Sequence, residues 1–326
     1  MTVIDVHTHC IPRFAVDEAK DGNGAFGMSS EGSREEGEFL TYAQGFRHPI
    51  DPELYDAEYK LSKMDEANID VAVLSTIPTF VFYDEDAGEA IEFARRVNDS
   101  LAEMIDGHDR LLGFAHIPLQ APEEAAAELR RACNELGFKG AQIGCDAGAG
   151  RGLDLEELDP VYEAAAELDL PLVLHPVYVG LKPGLEDYYL VNSIGNPLET
   201  MIGAARIMHG GVIERHPELK VVLVHGGGFL PYQVGRLDHS WEVREEPKVN
   251  IDKRPSEYLD RFWMDTITHS PAQLDFLQSL IGTDRIVLGT DIPFDMGDPA
   301  PLDLIRKTGV DPDEIGKTAA DLIKLG

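Results

Sequence analysis

The pair His7-Thr8-His9, at the end of the first apolar run, indicates a metal site. The run Val3-Ile4-Asp5-Val6 predicts a β-strand, and residues two apart on a strand point to the same face. Both imidazoles could therefore reach one ion, and histidine is the commonest metal ligand in proteins. Taken alone, the motif fits two ordinary surface or core histidines equally well.

Three further apolar runs end in a histidine or an aspartate just before glycine or proline. Each run has four or five aliphatic residues, as is typical of parallel strands buried on both faces, and its polar residue falls at the carboxyl end. These residues are His175, His225 and Asp291. One such histidine could simply be hydrogen-bonded at a strand end, but the repetition favours a shared site, because buried polar groups without partners cost free energy.

Eight apolar runs alternate with amphipathic helical patterns along the chain. The runs after the first lie at 69–76, 111–117, 138–144, 172–175, 221–225, 262–266 and 286–290. The helical patterns lie at 52–68, 86–105, 122–136, 155–168, 197–215, 229–241 and 271–281, with two more after the last run. We expect residues 1–326 to form one α/β domain, a (β/α)8 TIM barrel, whose active site lies at the carboxyl ends of the strands.

Two predicted connections are longer than simple barrel loops. Residues 13–50 follow the first strand and are rich in Gly, Ser and Glu, and residues 177–196 follow the fifth strand and contain Tyr178, Tyr188 and Tyr189. Both leave the barrel at the predicted catalytic end. We therefore expect lid insertions after strands 1 and 5 that close the site or select its substrate.

The charge balance restricts the partners of the protein. The chain has 59 acidic and 28 basic residues, a formal net charge of −31, so it would repel nucleic acid and anionic lipid. We expect neither as a partner. Salt would screen the self-repulsion, so a halophilic source is one explanation of the acidity, and well-solvated helix faces in an ordinary acidic protein are the other.

The remaining composition is that of a cytoplasmic enzyme. We find neither a leader-like segment before the first strand nor an apolar run of membrane-spanning length. The three cysteines, Cys10, Cys133 and Cys145, are too few and too scattered for a disulfide framework. We expect a soluble protein in a reducing compartment.

Motifs distributed along the chain resemble the amidohydrolase superfamily. Within it, the chain resembles the branch of non-oxidative decarboxylases typified by 2-amino-3-carboxymuconate-6-semialdehyde decarboxylase. The motifs are Ile4-Asp-Val-His-Thr-His9, Leu74-Ser-Thr-Ile-Pro78, Gly113-Phe-Ala-His-Ile-Pro118, Glu135-Leu-Gly-Phe-Lys-Gly-Ala-Gln-Ile-Gly144, His225-Gly-Gly-Gly228 and Gly289-Thr-Asp-Ile-Pro-Phe294.

The resemblance implies one zinc ion per chain, although another divalent metal is possible. Its implied ligands are His7, His9, His175 and Asp291, and His225 is implied as an acid/base residue beside the metal, with Asp291 as the alternative proton acceptor. The sequence supports a single metal, because two-metal relatives carry a modified lysine at the end of the fourth strand. Here that end reads Gln142-Ile143-Gly144.

The resemblance also implies a small carboxylate as substrate. Arg47 and Arg236 match the carboxylate-binding pair of the family, the second arginine coming from a neighbouring subunit, so a homodimer with a shared site is expected. Guanidinium groups bind carboxylates through two parallel hydrogen bonds, although either arginine could instead form a surface ion pair. Phe294 would line the pocket, or belong to the core.

We therefore predict a zinc-dependent decarboxylase of an unsaturated or aromatic carboxylic acid. The alternative within the same fold is a hydrolase or hydratase that acts on a lactone, an amide or a double bond. A metal-binding scaffold without turnover is a third possibility. His225 and Arg47 argue against a scaffold, because a protein that only binds metal needs neither residue.

Overall fold

A computed structural model describes residues 2–33, 37–42, 45, 47–177 and 183–325. Within these residues, eight parallel strands form a closed barrel. They are β1 Ile4–Cys10, β2 Val71–Thr76, β3 Leu111–Gly113 with its continuation Ala115–His116, β4 Ala141–Gly144, β5 Pro171–His175, β6 Lys220–Leu223, β7 Phe262–Asp265 and β8 Ile286–Val287. Each strand pairs with the next, and a bridge between Asp5 and Leu288 joins β8 to β1. The predicted (β/α)8 TIM barrel is confirmed.

The helices fill the connections between the strands. The described α-helices are α1 Arg13–Lys20, α2 Ala57–Ala67, α3 Ala87–Ile105, α4 Pro122–Glu135, α5 Asp159–Leu168, α6 Asn196–His209, α7 Val212–Arg215, α8 Leu230–Val243, α9 Pro271–Ile281, α10 Pro301–Ile305 and α11 Pro312–Leu322. The helix predicted at 197–215 is divided, because Gly211 adopts a φ of +72° between α6 and α7, a conformation that ends a helix. The predicted strand 286–290 is shorter, since β8 ends at Val287.

Apolar packing occupies the amino-terminal part of the barrel interior. Val73, Val173, Val222 and Val287 from four strands pack together there with Leu322 of α11. The opposite faces of the strands pack against the surrounding helices in a larger cluster. Because the apolar interior residues lie toward the amino-terminal ends of the strands, the carboxyl ends can carry polar side chains.

The insertion after β1 has secondary structure that we did not predict. It contains α1 and an antiparallel sheet of the strands Ser29–Ser33, Gly37–Thr41 and Arg47–Pro49, which we call the lid sheet. The strands are short and rich in Gly, Ser and Glu, so the alternation of apolar and polar residues that marks a strand is weak. The single-domain assignment and the movement of either insertion as a lid stay predictions.

In the insertion after β5, Tyr178 lies outside the described residues, whereas Tyr188 and Tyr189 lie within them. The hydroxyl of Tyr189 donates a hydrogen bond of 3.1 Å to Asp295 Oδ1, near the end of the barrel that carries Asp291. None of the helices in the described ranges combines the length and the apolar character that crossing a bilayer requires.

Candidate active site

A β-bulge in β1 brings its histidines to the inside of the barrel. Between Asp5 and Thr8 the pairing advances three residues along β1 but only two along β2. A bulge turns two consecutive side chains toward one face, and here Val6 packs with the barrel interior while His7 also faces inward, beside His9. The sequence pattern correctly pairs the two histidines, but it gives no sign of the extra residue.

Four histidines and one aspartate meet at the carboxyl ends of the strands. Five of the six imidazole pairs, all except His9 with His225, have ring centroids 5.0–5.3 Å apart. The carboxylate of the aspartate lies 3.0 Å from one imidazole Nε2, 3.3 Å from a second and 3.5 Å from a third. The residues are His7, His9, His175, His225 and Asp291, and we call them the histidine cluster. The structure thus brings together all five residues that the strand ends predicted.

Oxygen acceptors orient three of these imidazoles. Nδ1 lies 2.6 Å from Asp265 Oδ2 in His7, 2.8 Å from the carbonyl of Pro176 in His175 and 3.4 Å from the carbonyl of Thr76 in His9. An acceptor at Nδ1 keeps the proton there and leaves the lone pair of Nε2 for a metal. Among the described residues, the buried Nε2 atom of His175 has no hydrogen-bond partner, and Nε2 of His7 makes no hydrogen bond although Asp291 Oδ1 lies 3.3 Å away.

The donor set fits a divalent metal ion. His7, His175, His225 and Asp291 each offer one ligand atom, and these atoms all lie within 4.8 Å of one another. Imidazole nitrogen and carboxylate oxygen suit zinc and similar transition metals. Since Nε2 of His9 lies 3.0 Å from Asp291, the geometry does not separate four ligands from one acid/base residue, and that division stays a prediction.

Asp291 and His175 have the protonation states that metal ligands require. Burial would raise the pKa of Asp291, but the surrounding imidazoles of His7, His225 and His9 hold that pKa well below its usual range. Burial and the neighbouring histidines hold the pKa of His175 well below its usual value. At pH 7 Asp291 is thus a carboxylate and His175 a neutral imidazole, and only these forms bind metal.

Asp265 is a site residue that the sequence analysis missed. It is fully buried at the end of β7. Besides its contact with His7, its carboxylate accepts hydrogen bonds from the backbone N–H groups of His225 (3.1 Å), Gly226 (2.7 Å) and Ile267 (3.1 Å). One side chain therefore positions two members of the cluster. The strand that ends in this aspartate was the available signal, but threonine rather than glycine or proline follows it.

A buried lysine connects β1 to the segment that carries Asp291. The side chain of Lys60 is fully buried on α2, and its Nζ donates to Thr8 Oγ1 at 2.6 Å. Thr8 Oγ1 in turn donates to the carbonyl of Ile292 at 2.9 Å. Lys60 and Thr8 thereby fix the backbone at Ile292, the residue next to Asp291.

Two cavities adjoin the cluster. One, of about 480 Å³, is bordered by Arg47, His48, His175, Tyr189, Asp291 and Phe294 among others. The second, of about 540 Å³, is bordered by His225, Phe229, Tyr232, His269 and again Asp291. The cluster is therefore accessible from both cavities, with His175 at the first, His225 at the second and Asp291 at both.

The predicted substrate-binding residues have different surroundings. The ring of Phe294 lies 4.9 Å from the ring of His9, so this residue lines the site. Arg47 borders the first cavity, with its Nε 2.7 Å from Glu31 Oε1 and its guanidinium 3.6 Å from the ring of Phe39. Arg236 is exposed on α8 and borders neither cavity, so a single chain does not bring it to the site.

Comparison with known proteins identifies the family of this chain. The amidohydrolase family model matches residues 4–321, and the chain belongs to this family. A 2-amino-3-carboxymuconate-6-semialdehyde decarboxylase of Dictyostelium discoideum is 32% identical, over 93% of this chain and 85% of that protein. A gamma-resorcylate decarboxylase of a Rhizobium species is 33% identical, over 82% of this chain and 83% of that protein.

A solved structure agrees with these relatives. A dihydroxybenzoic acid decarboxylase from a Polaromonas species, with bound manganese and the inhibitor 2-nitroresorcinol, superposes with a TM-score of 0.80 at 27% identity, covering 100% of this chain and 98% of that one. The predicted resemblance to the decarboxylase branch of the amidohydrolase superfamily is confirmed.

Proposed function

We propose that this protein is a zinc-dependent decarboxylase of a small aromatic or unsaturated carboxylic acid. The observation that carries the proposal is the histidine cluster, in which Nε2 of His175 has no hydrogen-bond partner among the described residues and His175 borders a cavity that Arg47 also borders. The two relatives described above are both named decarboxylases, and one structural neighbour holds manganese. The donor set suits zinc equally well.

The proposed ligand assignment is the one that the family resemblance implies, and the orientation of the side chains supports it. We assign His7, His9, His175 and Asp291 to the metal, since three of these side chains are imidazoles oriented through Nδ1 and the fourth is a buried carboxylate beside them. When bound, the cation supplies a positive charge that stabilises negative charge developing on the substrate.

The side chains around the cluster account for the remaining steps. Arg47 pairs with a substrate carboxylate or another acidic group, in competition with Glu31, and Phe294 packs against the planar part of the substrate. The bond that joins the carboxylate to the rest of the substrate breaks, carbon dioxide leaves, and the electron pair of that bond stays on the carbon that carried the carboxylate. His225 then donates a proton to the carbon. Its side chain is 12% exposed, so it is accessible from the second cavity, and general acids of this type contribute rate factors of roughly 10² to 10⁴.

A second copy of the chain would complete the site. Arg236 is exposed on α8, which is the position that a residue needs in order to reach the site of a partner. We therefore propose a homodimer in which each chain contributes Arg236 to the other.

A substrate panel tests the proposed activity. The protein is freed of metal with a chelator, reloaded with zinc or manganese, and incubated with 2,6-dihydroxybenzoate, 5-carboxyvanillate, 2-amino-3-carboxymuconate semialdehyde and an aromatic lactone. We expect carbon dioxide in a one-to-one ratio with the loss of one acid, only after reloading. Opening of the lactone without release of carbon dioxide from any acid would replace the decarboxylase by a hydrolase.

A further inference from the structure

His48 lies on the face of the lid sheet that is turned to the barrel. Its strand pairs with Gly37–Thr41, and His48 stands opposite Leu40. Leu40 is fully buried, and side chains alternate between the two faces of a sheet. His48 therefore lies on the buried face of the lid sheet. Arg47, the residue before it, belongs to the outer face and borders the first cavity.

The surroundings of His48 place its ring beside the histidine cluster. Its ring centroid lies 5.5 Å from that of Phe294 and 5.8 Å from that of Tyr42, and Phe294 in turn contacts His9. His48 borders the same cavity as His175 and Asp291. A molecule in that cavity can thus contact the imidazole of His48 as well as His175 and Asp291, two of the proposed metal ligands.

One nitrogen of His48 has no partner in the described part of the chain. Nε2 is buried and makes no hydrogen bond there, and a buried polar atom without a partner is unfavourable. Burial and the nearby His9 lower the pKa of His48 to about 4, so its imidazole is neutral at pH 7. The site therefore offers one uncharged hydrogen-bonding atom that a ligand can satisfy.

The chemistry of a neutral imidazole selects the group that it binds. Carboxylates bind most strongly to cationic partners, and Arg47 is the cationic side chain among the described residues that border this cavity. A hydroxyl both donates and accepts, so it matches Nε2 in either tautomer. We propose that His48 is a further substrate-binding residue, whose Nε2 hydrogen-bonds a hydroxyl group that the substrate carries besides its carboxylate. This inference rests on the proposed function, and it narrows the substrate to a hydroxylated acid.

Two probes that cannot lose carbon dioxide test the contact. 2-Nitroresorcinol carries two hydroxyl groups beside a planar nitro group that stands in for the carboxylate, and nitrobenzene lacks both hydroxyls. Calorimetric titration of the metal-loaded protein should show a preference for 2-nitroresorcinol. In His48→Phe, which keeps a ring of similar size, the ratio of the two Kd values should fall roughly tenfold, because one hydrogen bond is lost. His48→Gln, which retains a polar group, should restore part of the preference.

His239→Phe is the matched control, because His239 lies on α8 with its side chain 71% exposed, and its ratio should equal that of the wild type. Nitrogen NMR of histidine-labelled protein provides a measurement on the unaltered chain, in which the His48 signal should shift with 2-nitroresorcinol and not with nitrobenzene. Equal binding of the two probes by the wild type, an unchanged ratio in His48→Phe or an unmoved His48 signal would overturn the inference. If His48→Phe loses the preference for 2-nitroresorcinol but the wild-type protein decarboxylates no acid, the proposed function is wrong and the contact of His48 with the hydroxyl group is supported.

Discussion

Replacing Asp265 by asparagine should weaken metal binding while the barrel stays folded. Oδ2 of Asp265 faces Nδ1 of His7 and the N–H of His225, and Oδ1 accepts from Gly226 and Ile267. Asparagine keeps only one of the two oxygens. If its NH2 group replaces Oδ2, it donates to Nδ1 of His7, moves the imidazole proton to Nε2 and removes the lone pair that a metal needs.

The opposite orientation of the amide is also costly. Its NH2 group would then face the N–H groups of Gly226 and Ile267, leaving two buried donors unpaired at roughly 1–3 kcal/mol each. The variant will adopt the less costly orientation. Replacing a residue that hydrogen-bonds a metal ligand typically lowers the metal affinity about 10- to 100-fold, and we expect a loss of this size for Asp265→Asn.

The assay is a competition titration of zinc between the protein and a fluorescent chelator. Thermal unfolding with excess chelator measures the effect on the fold separately. Asp284→Asn is the matched control, because its side chain is 77% exposed and lies beside Arg285, away from the cluster. A zinc affinity of Asp265→Asn within twofold of the wild type would refute the argument that Asp265 orients His7.

Three further predictions concern the buried lysine, the charge and the shared site. Lys60→Met should lower the free energy of unfolding in urea by about 3–5 kcal/mol, because it leaves Glu53 without its buried partner. Lys63→Met on the same helix should lower it far less, because the ion pair of Lys63 with Glu66 is exposed, and equal losses would contradict the buried network. The net charge of −31 should make the melting temperature rise between low and molar salt as repulsion is screened, and a temperature that does not change would remove support for a halophilic source. Arg47→Ala and Arg236→Ala should each be inactive, yet mixing them under subunit exchange should restore about a quarter of the activity, since half the dimers are hybrids with one intact site; hybrids without activity would place the whole site in one chain.

The positions of the cluster residues could be predicted because parallel strands bring their carboxyl ends together. His175 and Asp291 are more than a hundred residues apart, yet each ends an aliphatic run, and that local pattern was sufficient. The bulge of β1 depends on pairing with β2, which no local pattern encodes. Lys60 looked like an ordinary residue of an amphipathic helix, since its burial is decided by the strand behind it.

The lid sheet was missed for a different physical reason. Its strands are stabilised by antiparallel pairing with one another and by Leu40 in a separate apolar cluster, rather than by the period-two pattern on which strand prediction depends. The role of His48 follows from the register of that sheet. A pattern search could identify Arg47 through its family motif, but it could not show which neighbour faces the barrel.

The central claim is that one metal ion lies in the histidine cluster and that His225 moves a proton beside it. The most direct measurement is elemental analysis of His175→Ala and His225→Ala together with their rates of carbon dioxide release. We predict about one metal per chain in the wild type and in His225→Ala, a rate lowered by a factor of roughly 10² to 10⁴ in His225→Ala, and an empty site in His175→Ala. Full metal content in His175→Ala, or loss of the metal in His225→Ala, would contradict this assignment of roles.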